Sequence, residues 1–423
     1  MKRWIAWILC AVLLVSLAAC GSSGAENPTT EPETTGSAYP QIAERLSWDK
    51  INALPIKNSA MTVAQMRQLC VDFMRLSKTA LWTPDEEYTF IKTNKGAMET
   101  LEVGQVYGGM PYVGNNGSGN IYRMMDYYDP ETGVLQVKRA GSPVRLFGNH
   151  CSGTVYWAWG RVINSFDYGS TMYLTHAHGF LRLGPYTYDE EQNIFGEETG
   201  TRSICEANGK EIMFQSYALL QKADGIVLNN GSGHVVMCAE DAHVEYTSDG
   251  KIDGEKSYVI ILEQNSAWSE KQNGSGDKYL MKNSVDTQWS FETLYKKSYL
   301  PFTFAEFLGT DPVEETVCTV TATADTITVD ELFNITVNAN YGISDVYAVV
   351  KNAQGEEVYR HVERASELDA RGVRLKKKSS YSDSWGTLDV SNGEFTVEIF
   401  CQLSTGERPT VYTGKLIPAK IMP

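Results

Sequence analysis

Two short glycine-flanked stretches contain the residues whose types and spacing could do chemistry. They read GNHCSG at 148–153 and GSGH at 231–234. A cysteine at the start of a helix has a lowered thiol pKa, because unpaired amides and the helix dipole favour the thiolate. A nucleophilic thiolate needs a base, and that base needs an orienting partner. The pattern predicts Cys151 as the nucleophile and His234 as its base. The alternatives are a small buried cysteine and a histidine that caps a strand end.

The orienting residue is expected at the end of the next strand, which reads SYVIILEQN at 257–265. In a strand, Glu263 and Asn265 share one face while Gln264 lies on the other. Both faces of the strand are apolar upstream of these residues. The side-chain periodicity therefore does not show whether Gln264 or the Glu263/Asn265 face orients the histidine. A buried carboxylate without a partner is costly, and Glu263 would therefore need His234, Asn265 or water beside it.

His176 and His178 form an H-x-H pair that could bind a metal from one face of a strand. Zinc sites need three or four ligands, and no third ligand stands at a suitable spacing. Thiol chemistry requires neither a metal nor an organic cofactor, and we expect none.

The elements that must position these residues are predicted by their local patterns. A helix begins near Thr62, where Thr62 and Gln65 match a capping box. A second helix starts around Cys151, and a third covers Glu211 to Lys222. Strands follow from Ala223 onward. Helical and extended pieces without βαβ spacing predict an α+β domain over residues 41–312.

Residues 313–423 change character, with about seven short β-branched segments separated by turn signals. This spacing favours an immunoglobulin-like β-sandwich. It contains no cluster that suggests chemistry, and we interpret it as a spacer or adhesion module. Cys318 and Cys401 lie in this region and could pair.

The N-terminus predicts where the protein works. Lys2 and Arg3 precede an apolar run that is too short to span a bilayer, so residues 1–19 are expected to be a signal peptide. The sequence LAAC followed by GSSG resembles a bacterial lipobox, in which Cys20 carries the lipid. Residues 20–40 are rich in Pro, Thr and Glu and predict a disordered tether. We expect an extracytoplasmic protein that a lipid holds to the cell membrane.

The charge excludes one class of partner. With 37 Lys+Arg against 52 Asp+Glu, the formal net charge is −15. No basic stripe is present to release counterions from a nucleic acid, so we exclude nucleic-acid binding. We expect a monomer.

The order of these motifs resembles that of the NlpC-like and CHAP families of papain-fold cysteine peptidases, which hydrolyse cell walls. The segment ALLQKADGIVLNNGSGHVVMCAED resembles the family stretch around the histidine, except that Lys222-Ala223 stands where Pro-Gly is usual. Glu263-Gln264-Asn265 reproduces the Glu-x-Asn of the CHAP branch. In YGGMPYVG at 107–114, Tyr112 is similar to a family tyrosine whose hydroxyl lies beside the oxyanion, and Tyr107 matches it less well. The alternative for Tyr112 is an aromatic side chain packed in a turn.

The resemblance implies a papain-like domain that cleaves amide bonds in peptidoglycan stem peptides, with catalytic residues Cys151, His234, Glu263, Asn265 and Tyr112. The sequence departs from the family pattern in two places, because the segment 113–148 and the stretch 166–209 are both long for the family. Both departures bear on which substrate the protein would cleave. The alternatives are a papain-fold lipoprotein that binds wall or glycan ligands without turnover, and an adhesion protein that works through its β-sandwich.

Overall fold

The computed structural model describes most of the chain after the N-terminus, in twelve stretches: 43–91, 97–113, 119–137, 148–166, 179–189, 200–231, 233–273, 275–281, 286–322, 324–366, 370–377 and 394–417. The expected signal peptide, Cys20, the tether and the His176/His178 pair lie outside them. The described chain is an α+β protein, as the sequence predicts.

The chain divides into two compact units. Unit 1 takes the chain up to Pro55, then Met61–Trp159 and Ser165–Pro312. Unit 2 takes Val313–Pro423 together with two short earlier segments, Ile56–Ala60 and Gly160–Asn164. The sequence did not predict these two segments as part of the second unit.

The described residues form helices at eight places. They are α1 (Trp48–Asn52), α2 (Val63–Thr79), α3 (Ile121–Met125), α4 (Cys151–Trp159), α5 (Thr201–Tyr217), α6 (Phe291–Lys296), α7 (Ala305–Leu308) and α8 (Val329–Leu332). Among these helices, none combines the length and the apolar character that crossing a bilayer requires.

Local sequence explains where α2 and α4 begin. The Thr62 hydroxyl caps α2 by accepting from the amide of Gln65. The side-chain oxygen of Gln65 in turn accepts from the amide of Thr62, so the predicted capping box is confirmed. All nine residues of α4 are buried, as its apolar sequence indicates. The helix predicted for Glu211–Lys222 is the second of two helical pieces in α5, which meet at Gly209, whose φ of 75° and ψ of 165° are not helical. Its predicted start is close to this break, but its predicted end is wrong, because the helix ends at Tyr217.

The strands of unit 1 are β1 (Glu44–Arg45), β2 (Ala80–Pro84), β3 (Tyr88–Ile91), β4 (Met98–Leu101), β5 (Tyr107–Gly108), β6 (Val134–Leu135), β7 (Leu181–Arg182), β8 (Gly225–Asn229), β9 (Gly233–Cys238), β10 (Tyr258–Leu262), β11 (Ser269–Gln272), β12 (Lys278–Met281), β13 (Thr287–Ser290) and β14 (Leu300–Thr303). Within the described residues, one sheet has the order β1-β2-β5-β12-β11, with β6 also beside β2. A second has the order β13-β10-β9-β8-β14-β7, and β3 pairs with β4.

The second of these sheets carries the chemistry predicted from the sequence. β9 lies between β8 and β10 and is antiparallel to both. Helix α4 packs against both β9 and α2. The start of α4, the start of β9 and the end of β10 can therefore come together.

The strands of unit 2 are β15 (Cys318–Val320), β16 (Thr326–Thr328), β17 (Thr336–Ala339), β18 (Ile343–Lys351), β19 (Glu357–Arg364), β20 (Gly372–Arg374), β21 (Phe395–Leu403) and β22 (Thr410–Ile417). In its described part they form one sheet ordered β15-β17-β20 and another ordered β16-β22-β21-β18-β19. An apolar core that includes Val346, Val397 and Cys401 fills this unit.

The two short earlier segments are bonded into unit 2. The Ser404 hydroxyl donates to the carbonyl of Gly160 at 2.8 Å. The ammonium of Lys57 lies 4.2 Å from the centre of the Tyr341 ring. Unit 2 is thus assembled from three separate parts of the chain.

Candidate active site

Cys151 is the first residue of α4, and His150 caps that helix. The amide of Gly153 donates to Nδ1 of His150 at 3.2 Å, which satisfies one of the amides that a helix start leaves unpaired. The side chain of Asn149 accepts from the His150 amide at 2.8 Å and donates to the Gly119 carbonyl at 2.7 Å. Burial lowers the pKa of His150 to about 4, so the capping imidazole is neutral at pH 7.

Gly148 is required by a close approach of two chain segments. A Cβ at Gly148 would lie 2.6 Å from the carbonyl oxygen of Pro111. Two bonds hold these segments side by side: the Asn149 amide donates to the Pro111 carbonyl, and the Val113 amide to the Asn149 carbonyl, both at 2.9 Å. Tyr112 is thereby paired with Asn149, two residues before the nucleophile. The role of the Tyr112 hydroxyl stays a prediction.

His234 and Glu263 meet because β9 and β10 pair in a fixed register. Leu262 lies opposite Met237. Continued by one residue, this register puts Glu263 opposite Val236, on the same face as His234. The ring Nε2 of His234 lies 2.8 Å from Oε2 of Glu263. The side chain of His234 is 20% exposed and that of Glu263 only 8%, so solvent reaches the pair from the histidine side.

The thiol of Cys151 is the other partner of His234. Burial alone would raise the pKa of Cys151, but a hydrogen bond from His234, its charge, and the amides of Val235 and Ser152 lower it overall. Since Glu263 holds Nε2, Nδ1 of the ring is left for the thiol.

Electrostatics favour a charged state of all three groups. Burial acts to lower the pKa of His234, yet its bonds to Cys151 and Glu263 and the charges of both raise it to about 10. Burial acts to raise the pKa of Glu263, and the bond and charge of His234 bring it below its usual value. These directions favour an arrangement in which a thiolate, an imidazolium and a carboxylate are neighbours.

Gln264 forms its hydrogen bonds with other elements and not with His234. It donates to the carbonyl of Met110 at 3.0 Å and accepts from the hydroxyl of Thr154 on α4. It therefore holds α4 against the segment that contains Tyr112. Asn265 accepts from the amide of Ala267 at 2.9 Å and so bonds within its own turn. Of the three candidates from the sequence, only Glu263 has a described bond to His234.

A buried ion pair fixes the turn that leads into β8. Asp224 lies 2.8 Å from the guanidinium of Arg67 and accepts from Thr303 at 2.6 Å. The preceding residue, Ala223, has a φ of 67°, in the left-handed region that favours glycine. This network holds β8 and, through it, the β9 strand that carries His234.

Sequence reasoning missed Lys78, which lies in the last turn of α2 and is 1% exposed. A signal was present, because Lys78 follows Cys70 and Met74 at helical spacing on the buried face.

Among the described residues, no group of three or more His, Cys, Asp or Glu side chains is arranged to hold a metal ion. Comparison with protein-family models and with curated proteins finds no match for this chain.

Proposed function

We propose that this chain is a cysteine hydrolase, a peptidase or amidase, and that a lipid on Cys20 anchors it outside the cytoplasmic membrane. One observation carries the enzyme proposal: Nε2 of His234 lies 2.8 Å from Glu263, and the same ring lowers the pKa of the Cys151 thiol, which begins a buried helix. A nucleophile, a base and an orienting residue in contact are what nucleophilic catalysis by a thiol needs.

In the proposed reaction the Cys151 thiolate attacks an amide carbonyl and forms a C–S bond. The imidazolium of His234 gives its proton to the departing amine as the C–N bond breaks. Water then loses a proton to His234 and attacks the thioester, and Cys151 leaves as the thiolate. Glu263 holds the ring and stabilises its charged form throughout.

The oxyanion that forms in both steps needs hydrogen-bond donors to stabilise its negative charge. The amide of Cys151 stands at the start of α4, where helix amides have no partner within the helix, and we assign it the first donor role. Tyr112 pairs with Asn149, which is two residues before the nucleophile Cys151 in the sequence. This pairing supports the Tyr112 hydroxyl as a second hydrogen-bond donor to the oxyanion.

The substrate proposal rests on the resemblance to NlpC-like and CHAP peptidases. A cysteine-headed helix packed on the strand that carries the histidine supports a papain-like fold for unit 1. The two sheets of unit 2 support an immunoglobulin-like sandwich. The proposed bonds are amides of the peptidoglycan stem peptide, either a γ-D-glutamyl link or the muramoyl-alanine amide.

The test incubates residues 38–423 and its Cys151→Ala variant with purified sacculi and measures the released fragments by mass spectrometry. Fragments from the parent alone would identify both the enzyme and the bond. If neither protein releases fragments but Cys151 alkylates readily, the hydrolase proposal stands and the cell wall is rejected as the substrate. If neither protein releases fragments and Cys151 does not alkylate, a binding protein without turnover is favoured.

A further inference from the structure

A buried lysine lies at the end of α2, the helix that packs against α4. Lys78 is in the last turn of α2, and the carbonyl of its neighbour Ser77 accepts from the amide of Met110 at 3.1 Å. The carbonyl of Met110 in turn accepts from the side chain of Gln264 at 3.0 Å. Two hydrogen bonds therefore connect the end of α2 to the residue that follows Glu263.

The ammonium of Lys78 has no hydrogen-bond partner within the described part of the chain, although its side chain is 1% exposed. The charges that act on it are those of Glu263 and Cys151. Burial lowers the pKa of Lys78 well below its usual value, and these two anions oppose that effect. The end of a helix also favours a cation, because its carbonyls carry partial negative charge.

The other titratable groups around the site do not balance its charge. Tyr299 faces both Glu263 and Cys151, but burial raises the pKa of its hydroxyl well above the usual range, so it is neutral. His150 is neutral as well. Lys297 also faces Glu263, but it is exposed, and solvent screens its charge.

A thiolate, an imidazolium and a carboxylate carry one net negative charge, which is costly to bury. We propose that Lys78 is the buried counter-charge of the Cys151–His234–Glu263 cluster, a positioning residue that keeps Cys151 in its thiolate form. The inference rests on the proposed function, since it assigns Lys78 a role in that same site. Lys78 acts through Cys151 and does not touch the substrate.

The test measures how fast iodoacetamide alkylates Cys151 as a function of pH, in the full chain held in detergent, with the Cys151 peptide quantified by mass spectrometry. This readout needs no substrate. Lys78→Met removes the charge and retains most of the apolar volume. The thiolate loses its counter-charge, so the acid limb of the profile is expected to move up by about one pH unit, and alkylation below that limb to slow about tenfold.

Lys297→Met is the matched control, because it removes a lysine that faces the same Glu263 from solvent. Its profile is expected to coincide with that of the parent. A Lys78→Met protein with a parental melting temperature and an unshifted profile would overturn the proposal, because Lys78 would then be neutral or merely structural. A parent whose Cys151 does not alkylate below pH 8 would instead overturn the proposed function.

If Lys78→Met does not fold, Lys78→Gln gives the same measurement with a polar, uncharged tip. Failure of both neutral variants while Lys78→Arg folds would support a requirement for positive charge. Failure of all three would overturn the proposal, because the position would then be selected by side-chain shape.

Discussion

Replacing Glu263 by glutamine removes one negative charge from the site and changes almost no volume. The carboxylate accepts from Nε2 of His234 at 2.8 Å and is 8% exposed, so water cannot take its place without rearrangement. Glutamine retains an oxygen that can accept the same hydrogen bond. The substitution therefore tests the charge of Glu263 rather than the presence of a side chain.

The expected magnitude follows from the pKa of His234. Its rise from 6.5 to about 10 corresponds to about 5 kcal/mol of net stabilisation of the imidazolium, which Cys151 and Glu263 share. Exchanging a charge-assisted hydrogen bond for a neutral one loses about 1–2 kcal/mol. The pKa of His234 in Glu263→Gln is therefore expected to fall by about one unit. Loss of the same energy in the transition state would reduce kcat/KM roughly tenfold.

Proton NMR of histidine labelled at Cε1 measures this pKa directly in residues 38–423, which include every described residue. The signal of His234 is the one that His234→Gln lacks. Glu306→Gln serves as the control, because Glu306 is also buried in unit 1 and bonds to Ser165 at 2.9 Å. If the His234 titration in Glu263→Gln coincides with that of the parent, Glu263 does not stabilise the imidazolium and its assigned role is wrong.

Three further predictions concern other titratable and thiol groups. Iodoacetamide near pH 7 should label Cys151 and leave Cys205 unlabelled, because burial raises the pKa of the Cys205 thiol to about 12 while the pKa of Cys151 is lowered. Peptide mass spectrometry measures the labelling of both cysteines. Equal labelling would contradict a thiolate at Cys151. The native chain keeps His150 neutral down to about pH 4 while the unfolded chain protonates near 6.5, so stability should fall by about 3 kcal/mol as the pH drops between these values. Urea unfolding at several pH values tests this, and a slope unchanged in His150→Gln would refute it. The thiols of Cys318 and Cys401 each shift the pKa of the other, so they are neighbours, and under oxidising conditions we expect a disulfide that stabilises unit 2 by about 4 kcal/mol. Mass spectrometry of unreduced peptides would detect it, and a melting temperature insensitive to reductant would contradict the stabilisation.

The sequence predicts local features of this protein better than those that depend on long-range pairing. The start of α2 follows from its capping box, and the start of α4 at Cys151 was also predicted. The helical piece of α5 before Gly209 was not predicted, and the piece after it was predicted to run past its end at Tyr217, because helical periodicity does not report where a helix breaks or stops. The α+β class was predicted correctly from the alternation of short helices and strands.

The candidate site was likewise predictable from the sequence only where it depends on local features. The types and order of Cys151 and His234 suggest thiol chemistry without a structure. The third residue stayed open between Glu263, Gln264 and Asn265, because both faces of β10 are buried and apolar. Only the pairing of β9 with β10 and the contact of Gln264 with α4 separate the roles, and both join residues far apart in the sequence.

The composition of unit 2 has a consequence for how the polypeptide matures. Its segments Ile56–Ala60 and Gly160–Asn164 leave the ribosome long before Val313–Pro423, so they must wait for partners such as Ser404 that are synthesised last. Unit 2 therefore completes only when nearly the whole chain has emerged. A fragment that starts at Val313 lacks Gly160 and Lys57, and should be less stable than the same strands within the intact chain. Supplying those two peptides to the isolated C-terminal region is therefore expected to raise its stability.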